Sequence, residues 1–126
     1  MSMCRVLVIE DEPSILKFLT QALLLTGFDV VAVTDGEAGL AEIRGETAFD
    51  VILLDLMMPV LSGWEVLARM ENEGLLDEAP VIVVTASSQE TDQRRARAMG
   101  AVDCLVKPFT VREMAICVRQ VVGTAA

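Results

Sequence analysis

The stretch Val51-Ile52-Leu53-Leu54-Asp55-Leu56-Met57-Met58-Pro59 decides the fold. Four large aliphatic residues in succession, with no polar residue between them, describe a strand covered on both faces, as in the middle of a parallel α/β sheet. The run ends on a carboxylate. Pro59, which has no N–H to give to a sheet ladder, keeps the strand from continuing. Asp55 therefore falls at the carboxyl end of a central strand, the edge on which open α/β sheets hold their ligands.

Similar runs recur on either side. Val6-Leu7-Val8-Ile9 reads as a buried strand ending in Glu10-Asp11-Glu12, and Val81-Ile82-Val83-Val84 follows Pro80 and ends at Thr85. Phe28 to Val33 is a strand in which Asp29 suits an edge position, and Val102 to Val106 ends in Lys107-Pro108-Phe109. The expected strands are thus about residues 5–9, 28–33, 51–54, 81–85 and 102–106.

Helical spacing fills the intervals. Pro13 is a first-turn residue, Ile15, Leu16, Leu19, Leu23 and Leu24 repeat along one stripe, and Thr26-Gly27 supplies a glycine stop. Thr34 with Glu37, Ser62 with Glu65, Ser87 with Glu90 and Thr110 with Glu113 have the spacing of capping boxes. Strand and helix alternate throughout, with no linker, repeat or low-complexity segment. The expectation is a single α/β domain over residues 1–126, a doubly wound five-stranded parallel sheet with helices on both faces.

Composition narrows the function. Hydrophobic residues make up 53% of the 126-residue chain and aromatics only 4%, so the core must be aliphatic. No apolar run approaches the roughly 18 residues of a membrane span, and Met1-Ser2-Met3-Cys4-Arg5 has no apolar signal region, so a cytoplasmic protein is expected. The net charge of −9 argues against a nucleic-acid surface. Cys4, Cys104 and Cys117 are widely spaced, which fits reduced, buried thiols rather than a disulfide scaffold or zinc site. Histidine is absent, so the usual general base and zinc ligand are missing, and any metal should be a hard cation held by oxygen.

The polar residues concentrate at strand ends: Glu10 and Asp11 after the first, Asp55 on the third, Thr85 on the fourth, Lys107 after the fifth. In a parallel sheet these ends share one rim. With the order 2-1-3-4-5, taken as the common doubly wound arrangement, the first and third strands lie about 4.8 Å apart and crowd three carboxylates at the switch point. Such carboxylates repel, and either a divalent cation or Lys107 would compensate them. Mg²⁺ fits best, because it accepts one or two carboxylates and keeps waters for a phosphate. Carboxylate, Mg²⁺, hydroxyl and ammonium together are the parts of phosphoryl transfer to an aspartate. Taken singly, each residue has a plainer role: Glu10-Asp11-Glu12 as a solvated run favouring the next helix, Thr85 as a strand-end cap, Lys107 as a surface charge.

Val8-Ile9-Glu10-Asp11-Glu12-Pro13, Leu54-Asp55-Leu56-Met57-Met58-Pro59 with Gly63, Val84-Thr85-Ala86 and Val106-Lys107-Pro108-Phe109 resemble the four signatures of the response-regulator receiver domain. The resemblance covers essentially the whole chain, in order and at family spacing. It implies a flavodoxin-like (βα)₅ fold in a two-component or phosphorelay system, not an enzyme in its own right. It further implies Asp55 as phosphoacceptor, and a Mg²⁺ site of Asp11, Asp55, the Met57 carbonyl and, largely through water, Glu10. Thr85, the Ala86 N–H and Lys107 would hold the phosphoryl oxygens. The donor would be a histidine kinase or histidine phosphotransfer protein, and the recipient a downstream protein or output domain, with no direct nucleic-acid or membrane partner. After the last helix only Gly123-Thr124-Ala125-Ala126 remain, so no output domain is expected in this stretch, whether it stands alone or opens a longer regulator.

One position departs from the pattern. The family's aromatic switch residue, three before the lysine, is here Cys104. A small thiol cannot reproduce a swinging ring, so the Thr85 switch is expected to act on the backbone from Ala86 to about Thr91. Two competing readings are a degenerate receiver used only for docking, and a Mg²⁺-dependent phosphatase with an aspartate nucleophile. The full polar set speaks against the first, and Met57 speaks against the second by standing where such phosphatases carry a general acid.

Overall fold

The computed structural model describes residues 4–125, with side chains through residue 123; Met1, Ser2, Met3 and Ala126 lie outside the described residues. The chain alternates β1 (Arg5–Ile9), α1 (Pro13–Leu25), β2 (Asp29–Val33), α2 (Gly36–Arg44), β3 (Val51–Asp55), α3 (Gly63–Asn72), β4 (Val81–Thr85), α4 (Glu90–Ala98), β5 (Asp103–Val106) and α5 (Val111–Ala125). All strand pairs are parallel, and the sheet order is β2-β1-β3-β4-β5, as expected. Asp29 lies on the edge strand, where its carboxylate meets Arg5 Nε at 3.0 Å. No helix among the described residues is long and apolar enough to cross a membrane.

Every residue of β3 and of β4 is buried, so these strands carry apolar side chains on both faces. One face sends Ile9, Ile52, Leu54 and Val83 against Leu40, Val66, Leu67 and Met70 of α2 and α3. The other sends Val8, Leu53, Ile82 and Val84 against Leu19, Leu23, Met114 and Val118 of α1 and α5. At about 1.5–3 kcal/mol for each fully buried aliphatic side chain, these two layers hold the sheet against its entropy cost.

Most helix ends follow the sequence signals. Pro13 opens α1 behind Glu12, whose carboxylate accepts the Ser14 N–H at 3.1 Å. Gly27 leaves α1 at φ +96°, a conformation that side chains avoid. Ser62–Glu65 and Thr110–Glu113 are reciprocal capping boxes.

Two caps differ from expectation. At α2 the cap is Asp35, not Thr34: its charged Oδ1 accepts the Ala38 N–H at 2.7 Å, and a carboxylate is the stronger acceptor at a helix N-terminus. At α4 there is no capping box, because the helix begins only at Glu90 behind Gln89, which makes no side-chain cap. Ser87 lies upstream and uses its hydroxyl on Asp92 at 2.8 Å. Strand limits also move by one residue. β2 and β5 begin at Asp29 and Asp103, while β3 extends to include Asp55, since Leu56 still donates to the Val84 carbonyl at 3.0 Å. The three thiols are free, but only Cys117 is buried; Cys4 and Cys104 are half-buried because both lie near strand ends or the sheet edge.

Val60 is the backbone outlier. It is fully exposed at φ +67°, and Leu61 N–H bonds back to the Pro59 carbonyl at 2.8 Å, the geometry of the rarer, strained γ-turn. A β-branched residue there carries strain of order 1–3 kcal/mol, against about 0.4–1 kcal/mol that a glycine costs through the unfolded chain. Val60→Gly is therefore expected to stabilise the protein by about 1 kcal/mol, raising its thermal midpoint by a few degrees. A lower midpoint in calorimetry would show that the turn carries no such strain.

Candidate functional site

Sheet register builds the site. Ile9 lies opposite Leu54, so the next residue, Glu10, comes level with Asp55. Asp55 pairs with Val84, and Thr85 with Val106, which sets Thr85 and Lys107 each one step beyond their neighbours. The Lys107 N–H is tied to the Thr85 carbonyl at 2.8 Å, fixing the base of the lysine. Gly63 closes the loop behind Asp55: its N–H reaches the Leu56 carbonyl at 3.0 Å, and a Cβ there would strike the Asp55 carbonyl.

The rim brings together what the strand ends promised. Glu10, Asp55 and Thr85 are 1%, 3% and 2% exposed, the only buried polar or charged side chains among the described residues. Lys107 Nζ lies 3.0 Å from Glu10 Oε1 and 3.8 Å from Asp55 Oδ1. Asp55 Oδ1 also accepts the Met57 N–H at 3.0 Å. Glu10, Asp11 and Asp55 each offer an oxygen within 4.8 Å of the others, a hard, anionic donor set of the kind a divalent cation takes. Glu12, the third acid of the run, is instead the cap of α1.

Two buried carboxylates beside one ammonium cannot both stay charged cheaply. Burial, then the Glu10 carboxylate, push Asp55 up to about 8 despite the Met57 N–H and Lys107. Burial also opposes the charge on Glu10, but hydrogen bonds from Asp55 and Lys107 outweigh it and hold Glu10 below its ordinary value. The pair thus keeps one proton on the Asp55 side, and a cation among the three acids would displace it.

The remaining positions are placed as follows. Thr85 Oγ1 accepts the Ser87 N–H at 3.0 Å, and Ala86 between them is exposed. The Met57 side chain is 69% exposed beside the acids. Cys104 faces α4, its Sγ 4.0 Å from the Gln93 carbonyl, and burial raises its thiol above the ordinary value. Two contacts carry no sequence signal: Ser87 with Asp92, five residues on, and the Arg95 guanidinium stacked 4.2 Å over Trp64. Both depend on where α4 lies against its neighbours.

The sequence profile of the response regulator receiver domain matches residues 6–119. The chain belongs to the response regulator receiver domain family. Sensory transduction protein RegX3 of Mycobacterium tuberculosis is 40% identical over 119 residues, 94% of this chain and 51% of that protein. The alkaline phosphatase synthesis transcriptional regulatory protein PhoP of Bacillus subtilis is 36% identical over 110 residues, 87% of this chain and 45% of that protein. The receiver domain thus spans about half the length of the curated relatives it matches. Among solved structures, the receiver domain of the Francisella response regulator 1452 superposes with a TM-score of 0.90 at 28% identity, covering 98% of this chain and 99% of that one. The receiver domain of the sensor histidine kinase PA1611 from Pseudomonas aeruginosa, with a magnesium ion coordinated in its active-site cleft, gives 0.85 at 26% identity, covering 97% and 99%.

The two acids leave opposite marks on stability. Asp55 is held above its ordinary 3.8, so the folded receiver keeps a proton that the unfolded chain releases, and this group's contribution declines as pH rises from 3.8 to about 8. Glu10 is held below its ordinary 4.5, so its contribution is present above that value and is lost only below it. Asp55→Asn, which cannot ionise, should flatten the metal-free stability profile between about pH 5 and pH 8 and exceed the wild type at the upper end. Urea unfolding with a chelator present checks this, and an unchanged slope in the variant would place the titrating charge elsewhere.

Proposed function

We propose that this receiver takes a phosphoryl group from a partner's phosphohistidine onto Asp55 and thereby changes a protein-binding face. The observation that supports it most is the Asp55 carboxylate, buried at the end of β3 within reach of two further acids and 3.8 Å from the Lys107 ammonium. No histidine occurs in these 126 residues, so the phosphohistidine lies outside them, on a histidine kinase or a histidine phosphotransfer protein. A carboxylate oxygen of Asp55 attacks phosphorus, the P–N bond breaks with its electron pair going to the imidazole, and an acyl phosphate remains on β3.

Each neighbour has a task in this reading. Lys107 balances the added phosphoryl charge, drawing away from Glu10 as it does so. Thr85 turns its hydroxyl toward the phosphoryl oxygens, and the Ala86 N–H adds a second donor. Glu10, Asp11, Asp55 and the Met57 carbonyl would hold Mg²⁺, which when bound keeps Asp55 ionised and neutralises developing phosphoryl charge. Residues 1–126 act in this reading as one receiver domain, a signalling phosphoacceptor that catalyses only its own phosphorylation and dephosphorylation. One of the named relatives, PhoP of Bacillus subtilis, is a transcriptional regulatory protein, and an output domain or downstream protein of that kind is the recipient we infer.

Incubation with acetyl phosphate and Mg²⁺, followed by intact mass measurement, should show a single adduct of about 80 Da that Asp55→Asn abolishes. An adduct of normal yield on the Asn variant would refute the assignment. Millimolar Mg²⁺ should also raise the thermal midpoint, because it binds the assembled acids and not the dispersed ones. Asp11→Ala should remove most of that gain; an equal gain in the variant would put the metal at other residues.

A further inference from the structure

The acid rim has an oxidisable neighbour. The chain has seven methionines, of which Met1 and Met3 lie outside the described residues. Met58, Met70 and Met114 are buried and Met99 is half-buried, whereas Met57 is 69% exposed. The loop around it is open, since Pro59 and Val60 are exposed as well. Met57 is also tied to the site by its backbone: its N–H donates to Asp55 Oδ1 at 3.0 Å. Among the described methionines it is therefore the one whose sulfur is open to solvent, and it stands beside Glu10, Asp11 and Asp55.

We propose that Met57 is an oxidation site, and that a peroxide acting there tightens the hold of the acid rim on a divalent cation. A sulfur lone pair attacks one oxygen of hydrogen peroxide, the O–O bond breaks, that oxygen stays on sulfur and water leaves. Sulfur loses two electrons and the peroxide gains them. A thioether is soft and apolar, and offers little to Mg²⁺. The sulfoxide oxygen is hard and carries partial negative charge, the kind of donor such a cation takes. Three rotatable side-chain bonds let Met57 turn that oxygen toward a cation held by Glu10, Asp11 and Asp55. The inference rests on the reading that those acids hold Mg²⁺ and does not require phosphorylation.

The thiols do not compete at the rim. Burial raises Cys104 above its ordinary value, and burial with the Asp103 carboxylate beside it pushes Cys117 up to about 12. Neither therefore supplies much of the thiolate that reacts with peroxide. Cys4 precedes β1, at the opposite edge of the sheet from the acids. The change at Met57 is reversible: a methionine sulfoxide reductase with a dithiol removes the oxygen as water and leaves a disulfide on the reductant.

Treating the full chain with dilute hydrogen peroxide and then titrating it with Mg²⁺ tests both halves. Fragment mass mapping should place a gain of about 16 Da on Met57 before Met58, Met70 or Met114 gains any. Isothermal titration should show the oxidised protein binding Mg²⁺ about fivefold more tightly, the worth of one added contact of about 1 kcal/mol. Reductase treatment should return mass and affinity together. In Met57→Leu, which keeps the backbone carbonyl and lacks the sulfur, peroxide should leave the Mg²⁺ affinity where it was. Equal oxidation of the buried methionines, a Met57 sulfoxide that binds Mg²⁺ no more tightly, or the same tightening in Met57→Leu would each overturn the inference. A wild type that binds no Mg²⁺ before treatment would instead overturn the cation reading of the acids, and the mass map would still decide whether Met57 is the oxidised site.

Discussion

The structure turns on a charge imbalance: two carboxylates buried at the end of a parallel sheet, with one ammonium between them. Glu10 and Asp55 are 1% and 3% exposed, and Lys107 Nζ lies 3.0 Å from the first and 3.8 Å from the second. Burying a charge is tolerable only with a partner, and breaking such a pair costs about 3–5 kcal/mol. One lysine can fully satisfy one carboxylate. It favours Glu10, so Asp55 is left with the more distant partner and is pushed up to about 8. In the function we propose, that imbalance is what leaves Asp55 available to react.

Maintaining that imbalance dictates much else. The acids can approach only because parallel register sets Ile9 against Leu54, and the lysine arrives only because β5 stays tied to Thr85. Asp55 cannot retreat toward solvent, because β3 is buried along its whole length and the backbone of Gly63 is pressed against its carbonyl. The two apolar layers thus supply, in about 1.5–3 kcal/mol steps, the stability that the rim consumes. The strained turn at Val60 belongs to the same loop, which must leave β3 sharply enough to bring Gly63 back beneath Asp55.

Much of this was legible in the sequence, for physical reasons. Unbroken aliphatic runs such as Val51–Leu54 admit few readings, and polar residues at run ends fall on one rim once the strands are parallel. Legibility faded where two local choices compete or where a contact is tertiary. Thr34 and Asp35 are adjacent and both can cap α2; only the distance from Asp35 to the Ala38 N–H separates them. Ser87 had the spacing of a capping box with Glu90, yet its backbone is held by Thr85 and its hydroxyl by Asp92, so α4 begins later. Half-exposure of Cys4 and Cys104 depends on what covers a sheet edge, and the positive φ of Val60 on the path of the loop. The strand order came from the commonest doubly wound arrangement, and no residue pattern by itself distinguishes it.

The contrast between α3 and α4 shows which part of such a domain is free to respond. Moving α3 would uncover Val66, Leu67 and Met70, each 0% exposed, at a cost of about 5 kcal/mol or more. That is as much as inverting a two-state equilibrium from 1:99 to 99:1 requires, about 5.5 kcal/mol, so little of any signal would survive the expense. α4 buries a single small side chain, Ala96, and otherwise gives up hydrogen bonds worth about 1 kcal/mol each and a surface cation–π contact of similar size. A rearranged hydroxyl at Thr85 is of that same magnitude. The hydrogen bonds that Ser87 makes with Thr85 and Asp92 are of the same order as the contacts that hold α4. The polar composition of α4, which looks like poor packing, makes it the less costly of the two helices to move.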